Sequence, residues 1–249
     1  MSVIISKETT QRLLKDVRQI MLNPLTDNNI YYVHDESDML KGYAMIVGPE
    51  ATPYFGGYYF FEINYPTNYP HSPPQIKYMT NGKSIRFNPN LYTNGKVCLS
   101  ILNTWTGDQW TSCQTISTVL LTLCTVLREN PLINEPGVSI GHRDVESYNY
   151  IIEYANIDIA VCDIISKSDF VYHNFFDLFY FDVIEHMVKN HDKMVQFMKT
   201  RMEQFKHAPV LRTGFYNLNV LMDYDKLYKK YMDCYEIALA IHNVNKKKE

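Results

Sequence analysis

The residues best placed to do chemistry lie in one stretch, Arg86 to Trp110, where Cys98 follows Asn90 of the polar turn Asn88-Pro89-Asn90 by eight positions. A thiol is nucleophilic even at a small thiolate fraction, and a side-chain amide near it can donate to an oxygen that gains negative charge. The pattern suggests a thiol nucleophile with an amide donor close by. Taken singly, Cys98 would be read as packing, because free cysteine is among the most buried residue types. The flanking turn is what sets it apart.

The other thiols carry no such context. Cys124, Cys162 and Cys234 fall on apolar helical patterns and read as core, while Cys113 opens a helix and is assigned no chemistry. The five cysteines show no paired spacing and no CxxC motif, so neither a disulfide framework nor a zinc site is indicated. His186 and His191 are five positions apart, off the i, i+4 face that chelation prefers, and no metal is expected.

Composition bounds the rest. With 249 residues, 46% of them hydrophobic, the chain can bury a substantial core. A net charge of −3 implies no phosphate-tracking surface, so nucleic acid is not an expected partner. The start of the chain lacks a basic segment leading into an apolar one, and no apolar run approaches the roughly 18 residues of a membrane span. The expectation is an intracellular, cytoplasmic protein in a reducing compartment, with no membrane partner.

The elements that must position these groups follow from periodicity. Ser6 caps a predicted helix from Lys7 to Leu22 whose stripe is Leu13, Leu14, Val17, Ile20 and Met21. Extended runs follow at 30–34, 40–47, 58–63 and 75–79, separated by turn signals, and read as an antiparallel meander. In the third run, Tyr59, Phe61 and Ile63 alternate with Tyr58, Phe60 and Glu62, the period of a strand with one buried face. About thirty aperiodic residues come next, a length that in a compact domain marks a functional or disordered loop. Ser112 is then expected to cap a helix reaching Glu129. From Asp144 onward the pattern is helical only, interrupted at His207 to Gly214 and ending in the basic tail Lys246 to Lys248. The aromatics Phe175, Phe176, Phe179, Tyr180 and Phe181 read as core, with a partner groove as the other reading.

In order and spacing these pieces resemble the ubiquitin-conjugating, or UBC-fold, family. The resemblance is carried by Tyr65-Pro66-Thr67-Asn68-Tyr69-Pro70-His71-Ser72-Pro73-Pro74, Asn88-Pro89-Asn90, Gly95-Lys96-Val97-Cys98-Leu99 and Trp110, and covers roughly residues 6 to 140. Within the family, NPNLYTNGKVCLSILNTW and Asn134-Glu135-Pro136-Gly137 are closest in texture to the large BIR-repeat-containing conjugating enzyme and the large conjugating/ligase hybrid. It implies an α+β fold, with a UBC core at residues 1–145 and an all-helical extension at 146–249.

The resemblance also implies a reaction. Ubiquitin passes from the activating enzyme to Cys98 as a thioester and then to a substrate lysine, alone or with a ligase. By position Asn90 matches the family's oxyanion asparagine, and Glu135 falls where many members carry an acidic gate residue. Tyr65, Pro66 and Trp110 resemble the loops that meet ligases and the activating enzyme. No cofactor is implied, because ATP is consumed by the activating enzyme. Two departures stand out: Asn88 replaces the usual histidine, which is regarded as structural, and Thr111-Ser112-Cys113 replaces Ser-Pro-Ala, which leaves the choice of ligase open. Three alternatives remain: a non-catalytic UBC-fold module binding ubiquitin or a ligase, a conjugating enzyme for another ubiquitin-like modifier, and a cysteine hydrolase.

Overall fold

The computed structural model describes residues 5–247; Lys248 of the basic tail lies outside them. Helix α1 (Lys7–Leu22) starts where Ser6 Oγ accepts the Thr9 N–H at 3.0 Å, as its sequence predicts. It buries Leu13, Val17 and Ile20, but Leu14 and Met21 are exposed. The buried stripe is therefore narrower than expected, because successive residues turn about 100° and carry Leu14 and Met21 off the core-facing line.

Strands β1 (Ile30–His34), β2 (Lys41–Val47), β3 (Tyr58–Asn64) and β4 (Gln75–Tyr78) pair antiparallel in the order β1-β2-β3-β4. The meander matches the sequence reading. The prediction of one buried face does not hold for β3, where Tyr58, Tyr59, Phe60, Phe61 and Ile63 are all buried. The cause lies far along the chain. Phe176 stacks on Phe60 at a centroid distance of 3.8 Å, Phe175 stacks on Tyr43 at 4.6 Å, and Tyr58 donates to the Val183 carbonyl at 2.9 Å. Phe175 and Phe176 thus roof the sheet's outer face, whereas Phe181, expected in the core, is exposed. Each aromatic ring buried this way contributes roughly 2–3 kcal/mol.

Helix α2 (Ile116–Val126) is capped by Thr115, whose Oγ1 accepts from the Thr118 N–H, and not by Ser112. Arg12 of α1 explains the shift. Its guanidinium takes the Ser112 and Gln114 carbonyls, which holds these residues outside the helix. Cys113 consequently sits exposed before the helix, and Cys124, expected in the core, is only half-buried.

Helix α3 (Asp144–Ala155) runs without a break into a π-helical segment, Asn156–Asp163. Tyr148, Ile152 and Ala155 of α3 and Ile159 and Cys162 of the π-helical segment are all buried. At the junction, Asn156 accepts the Tyr59 hydroxyl at 2.6 Å and donates to the Phe55 carbonyl at 2.9 Å. Gly57 permits this approach, since a Cβ there would lie 1.8 Å from Asn156 Oδ1. Helices α4 (Tyr180–Gln204) and α5 (Tyr224–Lys246) complete the extension. Contrary to the helix-only expectation, a small antiparallel hairpin, β5 (Val210–Arg212) and β6 (Asn219–Leu221), lies between them. Pro209 and Gly214 forbid a continuous helix there, and the residues between the strands make a tight loop. Among the described residues no helix is long and apolar enough to cross a membrane.

Candidate active site

The long aperiodic stretch after β4 is ordered by short-range backbone bonding. Lys96 bridges to Lys77 and Tyr78 N–H bonds to the Gly95 carbonyl at 2.8 Å, so residues 95–97 cover the free edge of β4. Leu91 bridges to Val97 and brings the two halves of the loop together. Cys98 and Asn90 are thereby paired reciprocally. The Cys98 N–H donates to the Asn90 carbonyl at 2.9 Å, and Asn90 Nδ2 donates to the Cys98 carbonyl at 2.7 Å.

Thr104 braces the far side of the cysteine. Its hydroxyl accepts the Leu99 N–H at 2.9 Å and donates to the Val97 carbonyl at 2.9 Å, clamping the residues on either side of Cys98. Asn103, in the left-handed conformation that asparagine tolerates, accepts the Trp110 N–H at 2.9 Å. Trp110 in turn donates its indole N–H to the Pro70 carbonyl at 2.7 Å. Tyr65 and Trp110 are buried, so both side chains serve the core of their loops.

Cys98 is 1% exposed, yet it stands outside the continuous apolar core that includes its neighbours Val97 and Leu99. Asn90 Oδ1 is buried without a hydrogen-bond partner. Such an atom is uncommon, while the same side chain's Nδ2 is fully used on the Cys98 carbonyl.

Asn88 is fully engaged. Its Nδ2 donates to Tyr54 Oη and to the Val126 carbonyl, both at 2.7 Å, while its Oδ1 accepts the Asn90 N–H at 2.9 Å and Asn134 Nδ2 at 3.3 Å. An amide supplies donors and acceptors together, so asparagine satisfies this buried position completely. Arg86 closes the turn by donating to the Asn88 carbonyl at 3.0 Å and the Pro89 carbonyl at 2.6 Å.

Glu135 follows Asn134 and is half-buried. Its Oε2 accepts the hydroxyl of Tyr216, a residue of the hairpin loop in the extension. The sequence-predicted residues thus form one bonded series: Cys98 to Asn90, Asn90 to Asn88, Asn88 to Asn134, and Asn134 by the chain to Glu135. Thr104, Arg86 and Tyr216 were not foreseen. Tyr216 and Glu135 are 81 positions apart and share no local pattern that could have linked them. A cleft of about 730 Å³ is walled by residues such as Thr52, Tyr150 and Arg201 and includes none of Cys98, Asn90 or Glu135.

A family model described as "Ubiquitin-conjugating enzyme" matches residues 12–174, which include the whole bonded series from Asn88 to Glu135. The chain belongs to the ubiquitin-conjugating enzyme family. It is similar to "Ubiquitin-conjugating enzyme E2 Z" of Homo sapiens, 40% identical over 67% of this chain and 51% of the relative. The protein of the same name from Xenopus tropicalis is 42% identical over 64% of this chain and 51% of the relative. "Probable ubiquitin-conjugating enzyme protein 17" of Caenorhabditis elegans is 36% identical over 65% and 24%, respectively. The chain spans about half the length of the E2 Z relatives it matches. The matched segment runs past residue 145 through α3 and the π-helical segment and ends just before Phe175 and Phe176 of the roof on the sheet.

Proposed function

We propose that this chain is a ubiquitin-conjugating enzyme with Cys98 as the acceptor. The Cys98 thiolate attacks the thioester carbonyl carbon of ubiquitin's C-terminus on the activating enzyme, the new C–S bond forms, and the donor cysteine leaves as a thiolate. A substrate lysine then attacks the same carbonyl carbon. The C–N bond forms, the bond to Cys98 breaks, and the amine proton passes to Glu135 or water. A lysine with its ordinary pKa near about 10.4 must shed that proton to react, which gives a carboxylate at the site its role.

The observation that carries this reading is the reciprocal pairing of Cys98 and Asn90, which keeps a side-chain amide beside the thiol residue. In the resting arrangement Asn90 Nδ2 is docked on the Cys98 carbonyl. A side-chain rotation would move it to the thioester oxygen, where a hydrogen-bond donor lowers the barrier to aminolysis. Opening around Cys98 is needed to admit the incoming carbonyl to the thiol. The hydrolase reading is weaker, since among the described residues no histidine is hydrogen-bonded to Cys98 and such enzymes pair the thiol with a base.

The relatives' printed names and the family match support ubiquitin as the modifier, and the chemistry of the thioester calls for an activating enzyme as donor and allows a ligase. The finer likeness to the BIR-repeat enzyme and the conjugating/ligase hybrid rests on the segments around Asn88 and Glu135. A division into a UBC core at 1–145 and an extension at 146–249 follows the start of α3 at Asp144. Five free cysteines and a thiol-dependent reaction favour a reducing, cytoplasmic setting. The test is loading: with activating enzyme, ATP and tagged ubiquitin, the chain should form a reductant-sensitive adduct that Cys98→Ala lacks. A parent chain that forms none would refute conjugation with ubiquitin, and an adduct surviving in Cys98→Ala would refute the acceptor.

A further inference from the structure

Tyr216 touches both separated parts of the proposed site. Its hydroxyl donates to Glu135 Oε2, and its ring lies 5.0 Å from the Arg86 guanidinium, the same group that clasps the turn at Asn88 and Pro89. Arg86 is itself sandwiched, with its other neighbour the Tyr92 ring at 3.4 Å. The Tyr148 ring stands 6.0 Å from that of Tyr216, and Tyr148 donates to the Arg86 carbonyl at 2.6 Å. A residue of the extension therefore bridges the turn that holds Asn90 and the loop that holds Glu135.

The backbone at Tyr216 is in the left-handed region, with φ of 59°, and Asn217 follows at 50°. For an aromatic residue this conformation costs about 1–3 kcal/mol and persists only where the surroundings over-determine it. Here they do. Asp144, at the start of α3, accepts the N–H groups of Gly214 at 2.8 Å and Phe215 at 3.1 Å, and Thr213 donates to the Phe215 carbonyl at 2.7 Å. His142 packs edge-on against Phe215 at 5.2 Å. The loop is fastened to the UBC core and presents one hydroxyl to one carboxylate.

We propose that Tyr216 is a positioning residue for lysine transfer, holding Glu135 through Oε2 so that Oε1 is left to receive the incoming amine. This deepens the conjugating-enzyme reading and rests on it. In the step, the lysine nitrogen bonds to the thioester carbon, the Cys98 thiolate departs, and the ammonium proton moves to Glu135 and on to water. Tyr216 keeps its own proton. Burial, followed by the bond to Glu135, pushes its hydroxyl well above the ordinary tyrosine value, so it remains a donor.

The experiment uses the full chain, pre-loaded on Cys98 with ubiquitin by activating enzyme and ATP, then discharged in single turnovers. Tyr216→Phe removes one oxygen and keeps the ring on Arg86 and Tyr148. It should slow discharge to free lysine about tenfold, a fraction of the 100- to 10,000-fold that a positioned base typically supplies. Discharge to hydroxylamine, which is already neutral near pH 7 and needs no base before it attacks, should fall by less than about twofold, since the proton its nitrogen sheds on forming the C–N bond is acidic enough to pass straight to water. In a Glu135→Gln background, adding Tyr216→Phe should change lysine discharge little, because both act on one step. Equal lysine discharge by Tyr216→Phe and parent would overturn the proposal. So would equal slowing toward both nucleophiles, or the same loss in the Glu135→Gln background. Failure of the parent to load would instead bring down the conjugating reading, and is seen before any discharge is measured.

Discussion

Asn134 Nδ2 reaches Asn88 Oδ1 at 3.3 Å and the Val126 carbonyl at 3.1 Å, so the residue before Glu135 and the residue two before Asn90 share a bond and an acceptor at the end of α2. The position that usually carries histidine in this family is here an amide that joins three segments. Its contribution is to hold geometry, as the resemblance implied for the histidine.

Replacing Asn88 by alanine strips partners from the Asn90 N–H and Asn134 Nδ2 and opens a small void. A buried group left unpaired costs about 1–3 kcal/mol. The expected loss in urea unfolding is about 2–4 kcal/mol. Both loading and discharge should slow, since the turn carrying Asn90 loses its anchor. An unfolding midpoint equal to the parent's would show that water replaces these bonds without cost.

Asn90→Ala separates the two half-reactions. The variant should still load at Cys98, while lysine discharge falls about 100- to 1,000-fold, the usual effect of losing one oxyanion donor. Single-turnover discharge of purified thioester measures this directly. Equal discharge by variant and parent would remove Asn90 from the reaction.

Thiol reactivity should follow how locally each cysteine can be brought to solvent. Cys113 is exposed and should modify first with a maleimide; Cys124 is half-buried, and burial pushes its thiol up. Cys98, only 1% exposed, should react through local opening of its loops, before Cys162 and Cys234, which need the extension to unfold. Mass mapping over time checks the order. Protection of Cys98 equal to that of Cys162 would mean that its loops open only with the whole fold.

Phe176→Ala removes the ring stacked on Phe60 and should cost about 3–5 kcal/mol. Hydrogen exchange in β3 should then speed up, because its outer face is left open. An unchanged exchange pattern would mean that this contact does not hold the roof on the sheet.

Lys230 of α5 is bonded to Asp158 and Asp163 on the π-helical segment, and Lys83 joins Asp158. Burial pushes Asp158 up, but hydrogen bonds and charge from Lys230 and Lys83 outweigh it and hold the carboxyl below its ordinary range. A depressed carboxylate gives stability that is present above the unfolded value, about 3.9, and is lost as pH falls through the folded one. Burial opposes the Lys230 ammonium, yet its bonds to the two carboxylates raise it, so that its share is present below about 10.4 and is lost as pH rises through the higher folded value. Lys230→Met should cost about 1–3 kcal/mol at neutral pH, less than for a fully buried pair because Lys230 is part-exposed. The gap between variant and parent should close as the pH drops below about 4, which chemical unfolding at several pH values tests.

The first helix and its Ser6 cap, the four-stranded meander and the nearness of Asn90 to Cys98 were legible because each depends on short-range rules: a cap three residues from its donor, a two-residue strand period, eight positions within one loop. The cap of α2 was not, because Arg12 claims two carbonyls about a hundred positions away. Nor was the second buried face of β3, whose alternation of Phe60 with Phe61 reads the same whether the outer ring meets water or Phe176.

By itself the sequence determined the first helix, the meander and their order, and set the proposed thiol and amide in one loop, since periodicity, capping and motif spacing are local properties of the chain. Only the tertiary structure decided what covers the sheet, why an asparagine suffices at residue 88, and which hydroxyl meets Glu135. Those outcomes depend on contacts between segments far apart in the chain, where packing and satisfaction of buried polar groups select the partner and no local pattern names it.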